Sequence, residues 1–123
     1  MLDKRKELKL AYKLNPPPKG VYQIKNRING KIFIGSNMNL PGSRNSYRFQ
    51  LNLKCHRNKA LQEDWDLYGA DAFTFDILET LKTEEIPKDD WRDALSALED
   101  KWLNNLQPYG ERGYNKEKKS KEK

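Results

Sequence analysis

Two short apolar runs, Val21 to Ile24 and Ile32 to Ile34, stand either side of an Asn29-Gly30 dipeptide. Asn-Gly readily takes the positive φ angles of a type I′ turn, so this spacing predicts a tight hairpin with strands near 20–26 and 31–36. Successive strand residues point to opposite faces, which puts Tyr22 and Ile24 on one face and sets Ile32 and Ile34 against the parity of Phe33. Phe73-Thr74-Phe75-Asp76-Ile77 alternates in the same way and predicts a third strand over 73–79. Elsewhere the period lengthens to about four. Tyr47, Leu51 and Cys55 predict a helix over 44–55, after a loop running from Ser36 to Ser43. Leu61, Trp65 and Tyr68 predict a second helix over 58–69, closed by Gly69. Trp91, Leu95, Leu98, Trp102 and Leu106 form the stripe of a third over 90–106, with Asp89 or Asp90 as its cap. The fold class expected is α/β (α+β): a small three-stranded antiparallel sheet flanked by helices.

The ends of the chain depart from this pattern. Residues 1–19 read as a basic arm ending in Pro16-Pro17-Pro18, and 116–123 as a lysine-rich disordered tail, which leaves 20–115 as the folded unit. At 123 residues there is room for one domain with a modest core. A net charge of +6 suits a polyanionic partner. The single cysteine, Cys55, excludes an internal disulfide and argues against a cysteine-based zinc site. No apolar run approaches the roughly twenty residues of a membrane span, and the N-terminus carries no apolar signal segment. The expectation is a cytoplasmic protein without membrane contact, its oligomeric state open.

Three residues invite a chemical reading on their own terms. Glu99 follows Leu95 by four and precedes Leu103 by four, so it borders the core of its helix. A carboxylate there either pairs with a lysine or holds a hard cation such as Mg²⁺ beside a basic surface. His56 is the one histidine, set in Lys54-Cys55-His56-Arg57-Asn58. Tyr22 lies within the first strand, as a half-buried strand residue or as part of a site.

The spelling of the hairpin adds to this. Gly20-Val21-Tyr22, a spacer containing Asn29-Gly30, and Phe33-Ile34-Gly35 resemble the paired motifs of the GIY-YIG nuclease family. Leu98-Glu99-Asp100-Lys101-Trp102 resembles that family's glutamate-bearing helix, His56 its histidine, and Gly113-Tyr114-Asn115 its closing asparagine. The segment Leu61 to Gly69 also matches, and is assigned to packing. The resemblance covers Gly20 to Asn115 and implies an endonuclease that hydrolyses phosphodiester bonds in DNA. In that role Glu99 would hold one Mg²⁺ or Mn²⁺, Tyr22 would stand by the attacking water, and Asn115 would order the site. Arg44 or Arg48, with His56, would contact phosphate. The face carrying Arg27, Arg44, Arg48, Arg57 and Lys59 is expected to hold the nucleic-acid backbone, with DNA as partner and RNA left open.

Two positions depart from the family pattern. Phe33 stands where the family usually has tyrosine, which removes a hydroxyl. A gapless match puts Ser43 where a phosphate-clamping arginine is expected, with Arg44 next along, about 100° around a helix. These departures support a rival expectation, a weakened or inactive nuclease fold that binds nucleic acid. A protein-interaction module using the same basic face is a third.

Overall fold

The computed structural model describes residues 17–116. Its elements are β1 (Gly20–Asn26), β2 (Ile32–Asn37), α1 (Leu40–Asn52), α2 (Lys59–Tyr68), β3 (Phe73–Thr80) and α3 (Trp91–Leu106), with short 3₁₀ turns around the last two. The arm up to residue 16 and the tail from 117 lie outside the described residues. Lys19, expected in the arm, is buried, its Nζ 4.4 Å from the centre of the Trp91 ring. Among the described residues no helix is long and apolar enough to cross a membrane.

The strands form one antiparallel sheet in the order β2-β1-β3, so β1 is central and β2 is an edge. Pairing Ile24 with Phe33 and Tyr22 with Gly35 gathers Tyr22, Ile24 and Phe33 on one face. There they meet Leu40, Tyr47 and Leu51 of α1 and Leu61 and Trp65 of α2. Val21 and Ile34 face the other way, onto Leu103 of α3, with Leu98 and Trp102 packed alongside. Ile24 and Ile34 are almost fully buried, each stabilising the sheet by about 1.5–3 kcal/mol. Helices thus cover both faces, and β2 is one of the two edges, with β3 the other, where side chains from the two faces can meet.

Four local expectations change. The hairpin is not a two-residue type I′ turn, because only Gly30 has positive φ, at 78°. The connection is wider, held by Gly30 N donating to Asn26 O and Asn26 N to Lys31 O. The Asn26 and Asn29 side chains also accept from the backbone N–H two residues on, which offers the chain a local alternative to the tight turn. Second, α1 starts at Leu40, inside the expected loop. Asn39 caps it by accepting from Gly42 N, and Pro41 in the first turn lacks an N–H that the helix would not use. Third, α1 stops at Asn52 and Lys54 turns left-handed at φ 61°, which leaves Cys55 exposed instead of on the apolar stripe. Fourth, Asp90 occupies the cap position of α3 with helical dihedrals and makes no capping hydrogen bond.

Candidate active site

β2 places two consecutive residues on opposite faces at the open end of its edge. Gly35 lies directly across from Tyr22, and a Cβ on it would stand 2.5 Å from the Tyr22 hydroxyl oxygen. Only glycine lets that ring lie flat over the neighbouring strand. Ser36, the next residue, points toward α3, where its hydroxyl donates to Glu99 Oε1.

On the Tyr22 side a cleft of about 240 Å³ opens, lined among others by Tyr22, Ser43, Tyr47, His56 and Arg57. Behind its lining runs a row of aromatic rings. Phe75 stacks between Tyr22 and Tyr47, with ring centres at 5.0 and 5.3 Å. The hydroxyls of Tyr22, Tyr47 and Ser43 make no hydrogen bond among the described residues, and that of Ser43 is buried as well. The two tyrosine hydroxyls leave their hydrogen-bonding capacity to a ligand or water in the cleft, while the Ser43 hydroxyl is an unpartnered polar group buried behind its surface. Burial pushes the Tyr22 hydroxyl above the ordinary tyrosine pKa; nearby Arg57 pulls it down and Glu99 pushes it up. Tyr22 therefore carries its proton at neutral pH.

His56 packs edge-on against the Phe33 ring at 5.6 Å. Its Nδ1 accepts from Asn58 N at 3.0 Å, so the neutral ring carries its proton on Nε2. Burial, helped by Arg57, lowers its pKa below the usual histidine value. Such a histidine is a neutral hydrogen-bond donor rather than a cation.

Glu99 belongs to the other side. It has no ion-pair partner among the described residues, and Oε2 accepts no hydrogen bond there, so it is not the lysine-paired boundary carboxylate that its helix position allowed. The nearby lysine, Lys101, pairs with Glu79 instead, at 3.2 Å. No group of three or more His, Cys, Asp or Glu residues that could cage a metal occurs among the described residues. A single half-buried carboxylate with a free oxygen still fits Mg²⁺, which keeps several waters and commonly takes one protein carboxylate plus substrate phosphate oxygens.

The model of the GIY-YIG catalytic domain matches residues 18–115, nearly all of the described fold. The chain belongs to the GIY-YIG family. It is 31% identical over 87 residues, 71% of its length, to an intron-associated endonuclease of Enterobacteria phage T4, and spans 32% of that relative's length. It is also similar to the solved catalytic domain of the homing endonuclease I-TevI, at TM-score 0.64 and 31% identity, covering 79% of this chain and 96% of that one. A point variant of the catalytic domain of intron endonuclease I-TevI gives TM-score 0.66 at 28% identity, covering 80% of this chain and 92% of that one. Three antiparallel strands with three helices are therefore the GIY-YIG fold, and the family supports a nuclease function.

Within this GIY-YIG domain the expected site residues are not all in one place. Tyr22, His56 and Arg57 line the cleft, and Glu99 joins it through Ser36. Arg44 is outside the lining, its guanidinium 5.5 Å from the centre of the Phe75 ring, while Ser43 faces in. Arg48 is exposed on α1, outside the lining, though close enough to act electrostatically on Tyr47. Arg27 lies in the hairpin connection, held by Asp71 O at 2.6 Å, and Lys59 opens α2; neither lines the cleft.

Asn115 also stays out of it. Its amide makes two 2.8 Å bonds to the backbone of Ile34, accepting from N and donating to O, in the manner of a neighbouring strand. Tyr114 N donates to Ile32 O, and Gly113 passes so close that a Cβ would stand 2.4 Å from Ile32 O. Residues 113–115 thus line the edge of β2 as far as Ile34 and leave Gly35 to Asn37 open. Tyr114 adds a second tie, donating to Asp64 and accepting from buried Asn26, which joins hairpin, α2 and closing segment.

Tyr47 and Ser36 were not foreseen as site residues, and Ser43 was singled out only as standing where an arginine is expected. Ser43, Ser46, Tyr47 and Gln50 all line the cleft from one face of α1, at helical spacing. Ser46, Tyr47 and Gln50 already fall within the expected helix over 44–55, and starting it at Leu40 adds Ser43 one turn earlier.

Proposed function

We propose that this chain is the catalytic domain of a metal-dependent endonuclease that hydrolyses phosphodiester bonds in DNA. One observation carries the proposal: the Glu99 carboxylate, unpaired and with a free oxygen, stands beside a cleft that gathers Tyr22, His56 and Arg57. Glu99 would hold a single Mg²⁺ or Mn²⁺, with phosphate and water completing its shell. When bound, the cation supplies positive charge at the phosphate and the leaving oxygen. Arg57 places a further charge on the phosphate, and His56 Nε2–H donates to one of its oxygens. Tyr22 keeps its proton and orients the attacking water by hydrogen bonding. Ser36 fixes the carboxylate by its bond to Oε1.

Two features favour a second reading, a nuclease fold that binds DNA and cuts it poorly. Phe33 is buried and has no hydroxyl, and Ser43 lines the cleft where an arginine is expected while Arg44 lies over Phe75. Incubation of the purified protein with supercoiled, linear duplex and single-stranded DNA, with Mg²⁺ or Mn²⁺ and with EDTA, decides between them. Cation-dependent nicking is expected. Salt-sensitive binding without nicking under any of these conditions would replace the first reading with the second.

A further inference from the structure

Beyond Ser36 and Asn37, on the far side from Tyr22, lies a second and shallower groove of about 380 Å³. It shares Ser36 and Asn37 with the first cleft, includes Glu99, and continues along the N-terminal half of α3 to Arg92, Leu95 and Ser96, with Met38 opposite. The two hollows meet at Ser36 and Asn37 on the edge of β2, with the Ser36–Glu99 hydrogen bond at that junction. Arg92 stands at the outer end. Asp89, Asp90 and Asp93 are its sequence neighbours, yet Arg92 has no ion pair or hydrogen bond among the described residues. The guanidinium N–H donors are therefore free for an external anion, against which the three neighbouring carboxylates set an opposing charge.

We infer that this groove is the continuation of the substrate track, in which Arg92 binds a backbone phosphate of the strand whose scissile phosphate lies beside Glu99. The inference rests on the proposed nuclease reading of the first cleft. A polymer cut in the middle must leave a site in two directions, and this groove is the second way out. Cations then flank the carboxylate on both sides, Arg57 in one hollow and Arg92 in the other. Arg92 and Glu99 are seven residues apart on α3, about 10 Å along its axis. At about 3.4 Å of rise per phosphate along one strand, that separation is about three phosphates. Ser96, one turn beyond Arg92, offers a hydroxyl to the same backbone, and Met38 and Leu95 offer apolar surface to a deoxyribose.

The test is duplex affinity in EDTA, so that nothing is cut, measured by fluorescence anisotropy across a salt series. Each phosphate neutralised contributes about 0.9 to the slope of log K against log salt. Arg92→Ala should weaken binding about fivefold to tenfold at low salt and flatten the slope by about one unit, with Arg92→Lys recovering most of both. Lys101→Ala, which removes one charge from a residue paired with Glu79, should leave the slope unchanged. An Arg92→Ala protein with wild-type affinity and slope overturns the inference, as does an equal loss in Lys101→Ala. If wild type binds and nicks DNA while Arg92→Ala is indistinguishable from it, only the track falls. If wild type shows no salt-dependent binding, the track and the nuclease reading fall together; if it binds without nicking and Arg92→Ala flattens the slope, the track stands and the cleavage reading falls.

Discussion

Asn115 gives the sharpest separation between a residue that touches substrate and one that shapes the site. Its amide makes two hydrogen bonds of 2.8 Å to the backbone of Ile34, one residue before the glycine that accommodates Tyr22 and two before the serine that holds Glu99. A net contribution of about 1 kcal/mol per hydrogen bond makes Asn115→Ala destabilising by about 2 kcal/mol. For a domain of this size that lowers Tm by roughly 8–16 °C. Asn115→Asp should be at least as damaging, since one oxygen still accepts from Ile34 N while the other confronts Ile34 O. Urea unfolding followed by tryptophan fluorescence gives the free energy, and plasmid nicking on the same samples gives the activity. Both variants should lose stability, and activity should fall with the placement of Ser36 and Glu99. A fully stable Asn115→Ala protein that no longer nicks would refute this reasoning, because the amide would then act on substrate.

Two further predictions come from the cleft. The Tyr47 hydroxyl has no partner among the described residues, so Tyr47→Phe should change unfolding free energy by less than about 0.5 kcal/mol and lower nicking about tenfold or more; unchanged nicking would return Tyr47 to a packing role. His56 has a pKa depressed by burial and by Arg57, so the unfolded chain, at the ordinary value near 6.5, takes up its proton first. Wild type should therefore lose stability, relative to His56→Gln, as pH falls through about 6.5, and parallel stability curves from pH 7.5 to 5 would contradict the buried neutral ring.

The sheet was legible in the sequence because a period of two survives any uncertainty over its ends. Tyr22, Ile24 and Phe33 fall on the face that alternation assigns, and β3 runs Phe73–Thr80 against an expected 73–79. α2 was legible to within a residue, since Asn58 and Gly69 are strong caps at either end. α1 was misplaced because Pro41 and Gly42 resemble loop composition, although a proline in a first turn costs the helix nothing. That shift of four residues left Ser43 outside the helix; Ser46, Tyr47 and Gln50 lay inside it, but only tertiary packing shows that their face lines a cleft. The bidentate grip of Asn115 on Ile34 was illegible for another reason. Nothing in local pattern says that residues eighty positions apart will lie side by side. Arg44 and Ser43 show the same limit: Ser43 stands one turn before Tyr47 and shares its face, but only because the helix reaches back past residue 44.

The central claim is that the free carboxylate of Glu99 is the cation-holding centre of a DNA-cutting site, and Glu99→Gln tests it most directly. The amide keeps an acceptor for the Ser36 hydroxyl, and no buried cation is left behind because none pairs with Glu99 among the described residues. Stability should therefore move by less than about 1 kcal/mol. Mn²⁺-supported nicking should fall to background, while affinity for duplex DNA in EDTA holds or tightens as one negative charge is removed. A folded Glu99→Gln protein that nicks DNA at the wild-type rate would contradict the claim.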